Sequence, residues 1–220
     1  MKHATTKTLY QYWDKLRGGR PSPERSDIDP ADIREILADT FILEILDKNT
    51  FQFRLAGTRM CGSFCKELKG QNFLDFWKNE DLSSVQMLLA AVSEDEAAAV
   101  IGFEGKTERG QTLKFETLLL PMRHYGKRKR RILGALAPMD MPYWVGIWPI
   151  VEMNITSIRL VWPDEQPSFM KPLVKTSVSS FGAVPEQTKQ SGNKPIPASF
   201  KDTSSNKRFG HLVVIEGGKT

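Results

Sequence analysis

FRLAGTRMCGSFCKELKGQNFLDFW, residues 53–77, carries the decision about the fold. It begins inside an alternating run, FQFRLA (51–56), with Phe51, Phe53 and Leu55 on one face and Gln52 and Arg54 on the other, the period of a strand. Gly57-Thr58 ends that run. Thr58 can cap a short helix to about Phe64, with Met60, Cys61 and Phe64 inward. Leu68 and Gly70 close a turn, and Phe73, Leu74, Phe76 and Trp77 follow as a dense apolar cluster. A strand that turns straight into short helices needs a sheet to pack them on.

The sheet lies on both sides of this stretch. FILEIL (41–46) precedes it, joined to 51–56 by the polar Asp47-Lys48-Asn49-Thr50, which predicts an antiparallel hairpin. After it, Asp81 can cap a longer helix whose apolar residues are Leu82, Val85, Met87, Leu88, Leu89 and Val92, a strong stripe. Three strand-like runs follow at Ala98–Glu108, Leu113–Met122 and Ile132–Ala137, and Ile155–Val161 reads as either a strand or a helix. Two strands, short helices, then three strands predict an α+β fold with helices on one face of an antiparallel sheet. Upstream, Leu9, Tyr12, Trp13 and Leu16 form a helical stripe in Ala4–Leu16 that stops at Gly18-Gly19. Either the domain or a partner subunit must cover it. Asp29, Pro30 and Asp32 then read as the start of a further short helix.

Composition sets the limits. The 220 residues, 40% apolar and 26% charged, fit a globular protein, and no apolar run approaches the ~18 residues of a membrane span. The N-terminus lacks the apolar stretch of a secretory signal, so a cytoplasmic location is expected. Cys61 and Cys65 offer no disulfide framework; without a cysteine or histidine partner nearby they are expected to be small buried hydrophobes. The three histidines, His3, His124 and His211, are scattered, so neither a metal centre nor a catalytic base is expected and the chain reads as a non-enzyme.

The net charge of +5 is unevenly placed. Arg123 to Arg131 holds six basic residues and no acid, and residues 164–220 hold eight basic against five acidic. Lys127, Arg128, Lys129, Arg130 and Arg131 form either a solvated turn or a surface for an anion or an acidic partner. Peripheral contact with an anionic membrane is the most such a run supports. A nucleic-acid protein more often shows an extended basic face with stacking aromatics, so nucleic acid is disfavoured. Arg54 and Arg59 bracket Thr58; they either pair with acids across the sheet or, with Thr58, hold a small anionic ligand. Trp144, Trp148 and Trp162 either lock the segment after the sheet or form a partner surface.

Taken together, Trp13–Ile33 (WDKLRGGRPSPERSDIDPADI), Phe53–Trp77, Arg131–Pro138 (RILGALAP) and Gly210–Gly218 (GHLVVIEGG) resemble a PAS domain. More narrowly, they resemble the alphaproteobacterial family of small proteins built around a single divergent PAS domain. Glu67, Leu68, Gly70 and Phe73 fill the family's phrase after the second strand. The resemblance covers roughly residues 8–163, with a separate match at the tail. It implies a five-stranded antiparallel sheet with flanking short helices, plus an N-terminal amphipathic helix. Relatives bind haem, flavin, small acids or nothing. Here the cofactor is left unknown: no histidine is well placed for haem, and Gly62-Ser63-Phe64-Cys65-Lys66 is not the reactive-cysteine phrase of light sensors.

The expected organisation is a helical region at 1–37, a PAS-like core at 38–140, an ordered extension at 141–163 and a largely flexible tail at 164–220. Residues 211–215 form a strand that docks on an edge or a neighbour, or an unpaired tail motif. In relatives an N-terminal helix often makes the dimer, which would give Leu9, Tyr12, Trp13 and Leu16 that role in a homodimer. The expected function is that of a regulatory or sensory adaptor in signal transduction, acting through ligand-dependent or constitutive contacts with a protein partner. The alternative is binding of a phosphorylated ligand, a cyclic dinucleotide or nucleic acid, through the basic loop.

Overall fold

The predicted hairpin forms β1 (Thr40–Asp47) and β2 (Thr50–Ala56) of the computed structural model. The Asp47 carboxylate fixes the turn, accepting from the Asn49 amide at 2.8 Å and the Thr50 hydroxyl at 2.9 Å. The structure describes residues 1–124 and 130–162, with the strand residues 208–209 and 212–213. β3 (Ala98–Thr107), β4 (Thr112–Met122), β5 (Arg131–Pro138) and β6 (Ile150–Val161) complete an antiparallel sheet ordered β2-β1-β5-β4-β3-β6. The expected five strands are therefore six. Ile150–Val161 pairs along β3 from Ala98 to Thr107, burying Ile150, Met153 and Val161. In a second unit, from Lys175, Arg208–Phe209 and Leu212–Val213 pair as a short hairpin.

Both faces of the sheet are covered, not the single face the element order suggested. The reason lies in β3–β5, where apolar residues occupy successive positions as in a sheet buried on both sides. On one face α2 (Thr58–Phe64), the 3-10 turn Phe73–Phe76 and α3 (Asn79–Glu94) close over Phe41, Leu43, Ile101, Phe103, Phe115, Leu119 and Leu136. On the other, α1 (Ala4–Arg17) and Ile28, Ile33 and Ile36 cover Ile42, Val100, Leu118, Leu120, Leu133 and Ala135. Leu9, Tyr10 and Trp13 are buried there, and the Trp13 indole donates to the Pro121 carbonyl at 2.8 Å. Burial pushes the Tyr10 phenol up to about 12. Gly18, at φ 56°, ends α1 as expected.

Two helix starts differ from the sequence reading. Gly57, not Thr58, is the N-cap of α2, and Thr58 is the exposed first helical residue. Lys78, not Asp81, precedes α3. Asp81 lies in the first turn, where its charge still suits the positive helix end, and accepts from the Ile155 amide at 2.8 Å, tying α3 to β6. Asp29 does cap its turn, accepting from the Ala31 amide at 2.9 Å, although the turn is a 3-10 helix, Pro30–Ile33. Cys61 is half-buried, but Cys65 is exposed, because it takes the left-handed conformation that ends α2, at φ 50°.

The phrase after β2 seals a sheet edge. Phe53 donates to the Gln71 carbonyl at 2.9 Å and accepts from the Gly70 amide at 2.8 Å. The Asn72 side chain accepts from the Phe51 amide and donates to the Asn49 carbonyl. Edge groups that would otherwise invite another chain are thus partly satisfied from within. Gly70 allows the turn through its φ of 87°, and Leu68 is fully buried beneath it.

One buried charge anchors α1. Glu116 on β4 accepts from the Thr6 hydroxyl and from the amides of Lys2 and His3. Burial alone would raise its carboxyl, but these hydrogen bonds outweigh it and hold the group below its usual 4.5. A depressed carboxylate stabilises the fold above its unfolded value, and that stability is lost as pH falls through the folded value. Glu116→Gln is therefore expected to cost about 1–3 kcal/mol at neutral pH. Its stability should also fall less steeply than the wild type's below pH 4.5 in urea titrations. Parallel pH curves would refute the charged role.

Candidate functional site

The residues singled out in the sequence fall in different places. Arg54 on β2 lies 3.5 Å from the Glu44 carboxylate. Arg59 on α2 pairs with Asp39 at 3.1 Å and donates to the Glu35 carbonyl. Burial raises the Asp39 carboxyl while the Arg59 guanidinium pulls it back. The two arginines thus answer different carboxylates, with exposed Thr58 beside Arg59. Of the helical stripe, Leu9 and Trp13 are covered within the chain, while Tyr12 and Leu16 are partly exposed. Tyr12 bonds the backbone of Asp29.

The basic run is only partly visible. Lys127, Arg128 and Lys129 lie outside the described residues; Arg123, Arg130 and Arg131 are inside them. These three arginines line a small cleft with Ser22, Ser93 and Glu96, where β4 and β5 meet the end of α3. It is narrow, with room inside for about one water molecule. Glu96 accepts two bonds from Arg123, at 2.8 and 2.9 Å, and a longer one from the Ser22 hydroxyl at 3.4 Å. Arg130 donates to the Ser93 carbonyl in the last turn of α3, where a cation suits the helix end. Ser22, Ser93 and Glu96 carry no local signal that they converge here. Glu96 and Ser93 sit 27 and 37 residues from the arginines they bond, and Ser22 is farther still, so only the folded sheet shows the cleft.

Between the sheet and the α2–α3 layer the space is filled by interlocking rings. Phe41, Phe53 and Phe73 contact one another at 5.6–6.0 Å between centroids. Phe73 continues through Trp77 to Phe103, which stacks on Phe115 at 5.0 Å. Phe76 joins Phe53 to Phe64. The indole N–H of Trp77 is buried in this packing without an acceptor. Gly134 makes room for the Phe41 ring: a Cβ there would lie 2.2 Å from it.

A PAS domain family profile matches residues 1–137. The chain belongs to the PAS domain family. The first five strands of its sheet, the short helices against one face and the phrase sealing β2 all fall within the matched segment, save the last residue of β5. The PAS domain of an HTR-like protein from Haloarcula marismortui is similar over 50% of this chain and 91% of its own, at 22% identity and a TM-score of 0.36. No curated protein matches.

The extension after the PAS core joins its interior to its surface. Trp144 is buried in the main core, with the turn around it held by bonds from Ile147 and Trp148 to its carbonyl. Its neighbours Met141, Tyr143 and Ile147 are 65%, 80% and 61% exposed. Trp148 is half-buried, its ring 4.5 Å from the Arg109 guanidinium and in edge contact with Tyr143. The tryptophans are legible in the sequence as a lock or a partner surface; the exposed apolar side chains between them are not. Among the described residues no group of three His, Cys, Asp or Glu could hold a metal, and no helix is long and apolar enough to cross a membrane.

Proposed function

We propose that this chain is a non-enzymatic regulatory adaptor of the cytoplasm, one of the small proteins built around a single divergent PAS domain, and that it signals by contact with a protein partner. PAS domains are generally associated with sensory and regulatory roles rather than catalysis. The observation that carries the proposal is the Met141–Ile147 surface. Three large apolar side chains stand in solvent on either side of a tryptophan fixed in the core. Apolar and aromatic residues in such a setting are favoured at interfaces. Because Trp144 packs in the core, repacking of the interior moves the surface that a partner reads.

Native mass spectrometry and an absorption spectrum of the full-length protein test the first half. A colourless protein at the bare chain mass is expected; a reproducible chromophore or bound mass would overturn a contact-driven adaptor. Crosslinking in cells tests the second half, comparing the wild type with a Tyr143→Ser/Ile147→Ser variant of equal thermal stability. A defined partner lost in the variant is expected. An unchanged set of crosslinks would remove this surface from the proposal.

A further inference from the structure

We propose that the outer edge of β6 pairs antiparallel with the same edge of a second copy of this chain, continuing the sheet across a two-fold axis at Ile158. The two edges of the sheet are built differently. β2 is sealed by the 70–72 segment, whereas among the described residues no strand or bridge lies along the outer side of β6, 12 residues long. The first half of β6 is blunted. The Asp81 carboxylate takes the Ile155 amide, Lys78 holds Glu152 at 3.1 Å, and a bulge follows where Thr156 and Ser157 both lie against Gly102. The second half has none of these devices. Residues 156–159 are exposed, Ile158 by 44%, and residues 157–161 hold no lysine or proline to keep another strand away.

The register follows from the direction of the amides. The Ile155 amide points away from β3, since Asp81 takes it. Ile155, Ile158 and Leu160 stand opposite Phe103, Ile101 and Ala99, alternate residues of β3, so the amides of Ile158 and Leu160 point outward as well. A two-fold axis perpendicular to the sheet then sets Ile158 against Ile158 of the second copy, exchanging both backbone bonds, and brings the Leu160 amide to the partner's Ile155 carbonyl. Arg159 falls opposite Ser157 and not opposite itself, so no like charges meet. The half-exposed Ile158 gains an apolar neighbour of its own kind. Leu9 and Trp13 of α1 cannot serve instead, because this chain covers them itself. A ladder of about six residues falls well short of a standard interface, so the dimer is weak and concentration-dependent. It does not rest on the adaptor reading, and it adds nothing to the mass of each chain.

Sedimentation equilibrium of the full-length protein, from micromolar to millimolar concentration, tests it. A reversible monomer–dimer equilibrium is expected. Ile158→Lys, which sets two ammonium groups against each other on the axis, should weaken the dimer about tenfold or more while the monomer still folds. Tyr143→Ser/Ile147→Ser should leave it within a few-fold of the wild type. A second measurement reads the register directly. In a Cys61→Ser/Cys65→Ser background, chains carrying Ser157→Cys and chains carrying Arg159→Cys are mixed and oxidised with diamide. Opposite residues of a non-hydrogen-bonded pair lie about 4.5 Å apart at Cα, within disulfide reach. Disulfides between the two variants should form well ahead of those that either variant makes with itself. A wild type that stays monomeric to millimolar concentration overturns the proposal. So does a dimer indifferent to Ile158→Lys, or self-linking as fast as mixed linking.

Discussion

Replacing Gly57 by alanine is expected to cost about 4 kcal/mol, a large part of the stability of a marginally stable domain. Gly57 is where the chain leaves β2 and enters α2, and it passes against the turn Leu37–Asp39 that leads into β1. A Cβ there would lie 2.2 Å from the Ala38 carbonyl oxygen, 2.4 Å from its carbon and 2.7 Å from the Leu37 oxygen. All three are main-chain atoms. Ordinary overpacking in a core costs about 1–3 kcal/mol because side chains rotate away, and backbone cannot. Relief requires moving the 37–39 turn from α2, which breaks the 2.8 Å bond from the Gly57 amide to the Thr40 carbonyl and strains the Arg59–Asp39 pair across the same junction. At Gly62, farther along the same helix, an added Cβ would meet nothing within 4 Å, and the φ is ordinary. Gly62→Ala should therefore stabilise by about 0.5–1 kcal/mol through helix propensity. Urea unfolding of the two variants beside the wild type is the measurement. Similar midpoints for Gly57→Ala and the wild type would show that the junction is looser than described.

That junction also shows how much is legible in the chain. The hairpin can be read because its turn carries its own chemistry, Asp47 bonding Asn49 and Thr50 within three residues. The phrase over β2, Glu67 to Phe73, is legible through its resemblance to PAS sequences, whereas the bonds it makes from Asn72 back to Phe51 and Asn49 span 21 and 23 residues and show only in the fold. What fails depends on distant partners. Asp81 looks like a cap from its neighbours, yet its carboxylate is committed to an amide 74 residues away. β6 is ambiguous because Asn154, Thr156, Ser157 and Arg159 interrupt its apolar residues, and only pairing with β3 makes it a strand. The second covered face is hidden for the same reason: the stripe on α1 announces burial without naming what buries it. At the cleft, the basic run is visible, whereas Ser22, Ser93 and Glu96 join it only through the fold.

Trp13→Ala decides what α1 is for. The indole is 1% exposed, packs at 5.7 Å from the Tyr10 ring, lies under the Arg17 guanidinium and donates to the Pro121 carbonyl. Truncating a tryptophan buried in this way costs about 3–5 kcal/mol, the transfer of the ring plus the cavity it leaves. The loss falls on one contact layer, since Leu9, Tyr10 and Trp13 are the fully buried apolar anchors of the helix. With that layer weakened, the apolar face formed by Ile42, Val100, Leu118, Leu120 and Leu133 becomes accessible. The expected result is a lower unfolding midpoint, binding of an apolar dye before global unfolding, and association that grows with concentration, because a bare apolar sheet face seeks any cover. Trp13→Phe keeps most of the packing and loses the bond to Pro121, so it should cost much less and stay free of dye. If α1 served a homodimer through Leu9 and Trp13 instead, the variant would behave in the opposite sense. A wild-type dimer would fall to a monomer of nearly unchanged stability, and the stripe would belong to a partner and not to the sheet behind it.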